Sequence, residues 1–599
     1  MKSQVLDVTE RIIKRSEASR KLYLEQMQAA FDKGINRRHL SCGNLAHGFA
    51  GCGAVDKEHL SGDVTPNIGI ITAYNDMLSA HKPYEDYPPM IRAIANKYKA
   101  VAQVAGGTPA MCDGVTQGQK GMELSLLSRD VIALSASIGL SHNMFDAAVF
   151  LGICDKIVPG LMISALRFGH LPTAFLPGGP MTSGISNDEK ARIRQEYAEG
   201  KITRAELLKG ESDSYHSPGT CTFYGIANSN QMLMEIMGVH LPGASFVNPG
   251  TKMRDALNDF AIKTLVDNVH AHSFDRTMAS IISEKTIVNG IVGLLATGGS
   301  TNLTIHMLAF ARAAGIIINW DDFSNLSAVV PLITRVYPNG SADVNHFHAA
   351  GGIGFVIKTL MDEGVLHDDV QTVMGHGLRQ YTQEPKLKDD QIVYEDGAGE
   401  SLNENILRPA DNPFSLTGGI VLMQGNIGRA VLKVSAVKEE DRIIKAPAIV
   451  FNEQEDLKTA FKNDELKEDF VAVFPFQGPK HNGMPELHQL MPVLSILQKR
   501  GLKVGLITDG RMSGASGKVA SAIHVTPEAK DGGPIAKIRT GDMIEINCDS
   551  GTINVLNDSF LQRTPATKSD ATQGLGTELY GILRANISDS ETGASFIIT

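Results

Sequence analysis

Short, almost wholly apolar runs alternate with segments of helical period from about residue 65 to residue 370. IGIITAY, VAQVA, AAVFLGIC and TAFLPGG read as strands, and PPMIRAIANKYKA, SRDVIALSASIGL and PGLMISALRFG between them read as helices. Apolar runs without polar alternation are the mark of strands covered on both faces, so the rhythm predicts a mostly parallel sheet clothed by helices. Most of these strands end in Gly- or Asp-rich turns. In open α/β sheets ligands bind at the carboxyl ends of strands. Before this region, MKSQVLDVTERIIKRSEASRKLYLEQ is an amphipathic helix, and residues 1–64 are expected to pack on the large domain.

A polar, turn-rich stretch from Gln380 to Asn405 marks the expected domain boundary, giving segments 65–385 and 386–599. Beyond it GGIVLMQGNIGRAVLKVSAV and DMIEINCDSGTINVLN read as paired strands with tight turns. FVAVFPFQGPK, PELHQLMPVLSILQKRG and LKVGLITDGRM read as strand, helix and strand. The expected fold class is α/β: a large N-terminal domain with a mostly parallel sheet and a smaller, β-rich α/β C-terminal domain.

Length and composition narrow the function. A chain of 599 residues exceeds one ordinary core. The net charge of −10, with no basic stripe, argues against nucleic acid as a partner. No apolar run reaches the ~18 residues of a membrane span. The N-terminal helix carries acids and no continuous apolar core, unlike a secretory signal or transit peptide, so a cytoplasmic location is expected. The six cysteines, Cys42, Cys52, Cys112, Cys154, Cys221 and Cys548, are too sparse for a disulfide scaffold and include no CxxC pair.

Three of them stand in Gly-rich turns: CDG (Cys112–Gly114), CDK (Cys154–Lys156) and GTC (Gly219–Cys221). Cysteine is also a common buried filler, but two of these are followed directly by an aspartate. Thiolates prefer soft ions and iron–sulfur clusters, whereas carboxylates prefer Mg²⁺. Cys-Asp pairs can therefore place a soft and a hard centre on opposite sides of one substrate. The C-terminal half adds Glu486 in GMPELHQLM and Ser513 in DGRMSGASGK. Glu486 has an alternative reading as a first-turn acid complementing a helix dipole. The turns around Ser513 and at TGGSTN (Thr297–Asn302) suit an anion, but neither is a GxxxxGK[ST] loop, which excludes nucleotide hydrolysis of that kind. His81, His216, His346 and His348 lack metal spacing and read as structural.

Taken together, CDKIVPG, GTCTFYGIANSNQ, ATGGSTN, GMPEL and TDGRMSGASGK resemble the dihydroxy-acid dehydratase and 6-phosphogluconate dehydratase family over roughly residues 40 to 560. SCGNLAHGFA, YNDMLSAHKPYEDYP, MCDGVTQGQKGMELSLLSRD and GLSHNMFD look like its 6-phosphogluconate branch. The resemblance implies a swivelling, barrel-like C-terminal domain, a [4Fe–4S] cluster, Mg²⁺ and a homodimer. It implies Cys154 and Cys221 as cluster ligands and Asp113, Asp155 and Glu486 as magnesium ligands. Lys156 matches a lysine that ligates the same ion when carbamylated, and Ser513 matches the proposed base. The third cluster cysteine of related enzymes falls here on Ala80, so Cys112 is expected in its place, with Cys42 as rival. The implied substrate is a phosphorylated sugar acid, 6-phospho-D-gluconate. The C3 hydroxyl would leave to a Lewis-acidic cluster iron, while Mg²⁺ stabilises the enolate. Lys480, His481, Arg511 and Lys518 are candidate phosphate contacts. The alternatives are an unphosphorylated sugar acid or a branched dihydroxy acid as substrate, or a non-catalytic iron–sulfur sensor.

Overall fold

The computed structural model describes residues 1–62, 64–514, 516–569, 574 and 576–598. Four parallel strands, β1 (Asn67–Thr72), β2 (Val101–Gly107), β3 (Ala147–Leu151) and β4 (Thr173–Phe175), form a sheet in the order β2-β1-β3-β4. All five residues of β3 are buried, as are Ile68, Ile70 and Ile71 of β1. Helices Ser125–Leu140 and Ile157–Arg167 press together on one side of the sheet. A Cβ at Gly160 would lie 2.5 Å from the Arg129 carbonyl, so glycine is what lets these helices touch. The chain steps from β1 to β2 on one side and then to β3 on the other. The loops after β1 and β3 therefore flank the point where strand order reverses, the usual ligand crevice of such sheets, and the loop after β2 comes from the edge strand beside β1.

The βα alternation stops at Phe175, well short of residue 370. From Leu176 to Val370 the elements are helices, among them Ile226–Ile236, Glu284–Thr297 and Leu303–Ala313. These three helices are buried almost all round. Burial on every side erases the 3.6-residue period and leaves apolar runs that look like those of buried strands. The polar stretch after Gln380 also holds more structure than its composition suggests. Gln383–Lys388 and Gln391–Asp396 pair as an antiparallel hairpin. Asp389 and Asp390 turn it with positive φ of 49° and 57°, a conformation that aspartate tolerates better than most residues. The hairpin lies on the large domain, where Tyr394 stacks edge-on against Phe260 and donates to the Pro242 carbonyl. Bridges Thr334–Leu407 and Leu332–Ser415 keep the following residues there too.

The C-terminal domain is a closed barrel of eight strands, in the order Gly428–Lys433, Ser521–Thr526, Val504–Thr508, Phe470–Phe474, Ile443–Val450, Met543–Asn547, Thr552–Val555 and Ile420–Gly425. Phe470–Phe474 and Val504–Thr508 run parallel as neighbours, and both consist of buried residues. Their carboxyl ends lead into the loops carrying Glu486 and Ser513. The chain then returns to the large domain. The buried Arg129 guanidinium donates to the carbonyls of Gly593 and Ala594, and Asp130 accepts from Ser595 Oγ and the Phe596 amide. Among the described residues no helix is long and apolar enough to cross a membrane.

Candidate functional site

The loop after β2 places Cys112 just before a short helix, Asp113–Thr116. The loop after β3 places Cys154 at φ 78°, a left-handed conformation strained for a side chain of this type. Two asparagines of the buried helix Ile226–Ile236 hold these turns. Asn230 Nδ2 donates to the carbonyls of Cys154 (2.9 Å) and Asp155 (3.1 Å). Asn228 Nδ2 donates to the carbonyls of Cys221 (2.7 Å) and Phe223 (2.8 Å). The strained Cys154 backbone is thus pinned by its neighbour helix.

These contacts bring three thiols together. Burial pushes the Cys154 thiol well up, and the nearby Cys112 and Cys221 push it further. Burial, then Cys112, pushes Cys221 up to about 12. Burial likewise raises Cys112. Three thiols that oppose one another's ionisation call for a cation among them. Cys42 is exposed, Cys52 accepts from Gln103, and Cys548 sits in the barrel core. No disulfide joins any of the six.

Beside the thiols, carboxylate oxygens of Asp113, Asp155 and Glu486 lie within 4.8 Å of one another. Glu486 is not in the first turn of a helix: the helix begins at Met491, and Glu486 forms a β-bridge with Arg511. Lys156 Nζ donates to Asp113 and to Asp155 (2.7 Å). Arg511 Nη1 donates to Asp155 (2.9 Å) and Glu486 (3.3 Å), and its Nη2 to Asp113 (2.8 Å). Burial works against ionisation of Asp155, yet Lys156 and Arg511 hold its carboxyl well below the usual range. Burial, then Asp113, pushes Glu486 up. At about 8, Glu486 is the acid that the two cations do not balance, and the three convergent oxygens suit a hard divalent ion that would take the place of its proton.

Behind Asp155 stands His306. Burial pulls it down to about 4, so the ring is neutral. Its Nδ1 accepts from Arg129 (3.4 Å), which leaves the proton on Nε2, and Nε2 donates to Asp155 Oδ1 (3.1 Å). A neutral histidine in this position fixes the carboxylate without adding charge.

Ser513 is 8% exposed, in the turn after Val504–Thr508; Ala515 of the same turn lies outside the described residues. A Cβ at Gly514 would lie 2.9 Å from both Gly225 Cα and Ser300, so this turn meets the GTC and TGGSTN turns at one point. Two TGGSTN amides are already engaged: Ser300 N donates to Ser229 Oγ on the helix Ile226–Ile236, and Asn302 N to Ser300 Oγ. That turn is a packing joint rather than an anion cradle.

The expected phosphate contacts scatter. Arg511 is enclosed by the carboxylates. Lys480 pairs with Asp531 (2.5 Å) and Asp589 (2.6 Å). His481 is buried edge-on against Phe476. Lys518 lies over the Tyr337 ring at 5.2 Å. Residues missed in the sequence are Asn228, Asn230, Arg129 and His306. The polar cluster in GIANSNQ, inside a helix otherwise apolar, was the available signal for the two asparagines.

Known proteins are similar to this chain over nearly its whole length. The dihydroxy-acid/6-phosphogluconate dehydratase N-terminal model matches residues 65–381, and the C-terminal model matches residues 405–594. The chain is 58% identical to phosphogluconate dehydratase of Rhizobium meliloti over 600 residues, covering 99% of each chain. It is 55% identical to phosphogluconate dehydratase of Escherichia coli over 601 residues, covering 100% of each. It is 35% identical to dihydroxy-acid dehydratase of Acetivibrio thermocellus over 516 residues, covering 83% of this chain and 88% of that one.

Proposed function

Because the chain belongs to the dihydroxy-acid/6-phosphogluconate dehydratase family and is a hydro-lyase, we propose that it converts 6-phospho-D-gluconate to 2-dehydro-3-deoxy-6-phospho-D-gluconate and water. The observation that carries this reading is the pairing of two donor sets in adjacent residues. Cys112 and Cys154 belong to the thiol set, while Asp113 and Asp155 belong to the carboxylate set.

The thiol set fits an iron–sulfur cluster, with three thiolates leaving one corner of a [4Fe–4S] cube without a protein ligand. The carboxylate set fits Mg²⁺, with Lys156 as a further ligand if carbamylated. When bound, the two supply Lewis acidity at the C3 hydroxyl and charge stabilisation at the C1–C2 enolate. The protein's own part is to hold these sets a fixed distance apart, which the peptide bonds Cys112–Asp113 and Cys154–Asp155 do directly. Ser513 takes the C2 proton at Oγ, as an alkoxide. The C2–H electron pair passes into the C1–C2 enolate and then into the C2–C3 double bond as the C3–O bond breaks; the departing hydroxide takes the proton from Ser513 Oγ and leaves as water, and the enol loses its O–H proton and takes one from solvent at C3.

We include a homodimer in this reading: β2 is an edge strand, and Val104 on it and Leu134 and Ile138 on the helix beside it are exposed. In D₂O the product is expected to carry one deuterium at C3, detected by NMR. Transfer of the original C2 hydrogen to C3 would contradict protonation of the enol from solvent.

A further inference from the structure

Helix Ser125–Leu140 reaches the carboxylate set twice. Ser125 Oγ donates to Asp113 Oδ1 (2.6 Å) and accepts from Arg511 Nη2 (2.9 Å). Four residues on, and so on the same helix face, stands Arg129. Its Nη1 donates to His306 Nδ1 (3.4 Å), and His306 Nε2 donates to Asp155 Oδ1 (3.1 Å). Lys156 and Arg511 both bind the other oxygen of Asp155, so among the described residues the hydrogen bond to Oδ1 comes from His306. Ser125, Arg129 and His306 are fully buried, and bulk water does not compete for these contacts.

The end of the chain fixes Arg129. Nη1 also donates to the Gly593 carbonyl (2.8 Å), and Nη2 to the Ala594 carbonyl (2.7 Å). Nε donates to one oxygen of Asp130 (2.8 Å), whose other oxygen accepts from Ser595 Oγ (2.7 Å) and the Phe596 amide (2.9 Å). Ser595 Oγ accepts in turn from the amides of Ile597 (3.2 Å) and Ile598 (3.0 Å). The tail also touches the helix that carries His306. Gly593 stands at φ 103° against Ala309, one turn along Leu303–Ala313 from His306, and a Cβ there would lie 2.8 Å from the Ala309 amide nitrogen. Glycine alone suits both the backbone conformation and the close approach.

We propose that residues 589–598 position Asp155 through Arg129 and His306, so that the end of the chain sets the affinity of the magnesium site. The tail orients the guanidinium, the guanidinium orients the imidazole, and the imidazole aims Asp155 Oδ1. All of these are positioning residues, acting through Asp155. Groups behind a metal ligand tune affinity in this way. The turns of Cys154 and Cys221 are held separately, by Asn230 and Asn228, so the thiol set is expected to be indifferent to the tail. The inference rests on the magnesium reading above.

The test is a Mn²⁺ titration of anaerobically purified holoenzyme, read from the EPR signal of the free ion, with Mg²⁺ as competitor and with iron, sulfide and Tm measured on each protein. His306→Leu removes the donor to Asp155 and is expected to weaken Mn²⁺ binding about 10- to 100-fold. His306→Gln keeps an N–H group and should recover part of that loss. Gly593→Ala pushes the tail off Ala309, and Ser595→Ala removes the hydroxyl donor to Asp130. Both should weaken Mn²⁺ binding in the same direction, with iron and sulfide unchanged. Because the tail acts through His306, adding either tail substitution to His306→Leu should weaken binding no further. Ser595→Ala, the milder change, carries the test if Gly593→Ala does not fold. If the wild type binds no Mn²⁺ that Mg²⁺ displaces, the magnesium reading fails and this proposal with it. If the wild type binds but the tail variants show a lower Tm at unchanged Mn²⁺ affinity, the tail is only structural and the proposal alone fails. Loss of iron from the tail variants, or additive losses in the double variant, would overturn it as well.

Discussion

Cys112→Ser protein purified without oxygen is expected to lose most of its iron and sulfide, together with the broad visible absorption of the cluster. Activity should fall further than the ~10–100-fold typical of a group behind a metal ligand. Cys42→Ser should retain cluster and activity. The difference follows from position. Cys112 is close enough to Cys154 and Cys221 to disfavour their ionisation. Cys42 begins a helix, Cys42–Ala50, in which no residue is buried. Serine preserves the size of the side chain and its place in the turn, so a lost cluster would report the lost thiolate. Full iron and sulfide in Cys112→Ser would remove Cys112 from the ligand set.

Asp155→Asn is expected to separate the two centres. Asparagine keeps the shape, but its single amide oxygen can accept from His306 or from Lys156 and Arg511 and not from both sides, and it removes the negative charge to which both cations point. Cys154 keeps its thiol and its pinned backbone, so iron and sulfide should be unchanged. Turnover should fall on the order of 10²–10³ or more, the scale of removing one preorganised electrostatic contact from a transition state, and the Mg²⁺ concentration for half-maximal activity should rise. Near-normal kcat at ordinary Mg²⁺ would rule out Asp155 as a magnesium ligand.

The first four strands were legible because each is a short apolar run closed by a turn, a pattern with few other solutions. The helical half of the large domain was not, since Ile226–Ile236 and Glu284–Thr297 are buried on nearly every face and carry no period to read. The hairpin at Gln383–Asp396 was hidden by its polarity; its turn is made by Asp-Asp, where the common signals are Asn-Gly or Asp-Gly. At the site, the Cys-Asp pairs stood out because two unlike ligand types adjoin in a glycine-rich turn. Arg511 was misread as a phosphate contact because a sequence does not show which carboxylates face a guanidinium.

The central claim is that this chain dehydrates a phosphorylated sugar acid using centres held by both domains. The most direct measurement is 2-keto acid formation by anaerobically purified protein with Mg²⁺, offered 6-phosphogluconate, gluconate and 2,3-dihydroxyisovalerate in parallel. The expected result is rapid turnover of 6-phosphogluconate, with the other two slower by orders of magnitude. Preferred turnover of either unphosphorylated acid, or none at all with cluster intact, would contradict the account.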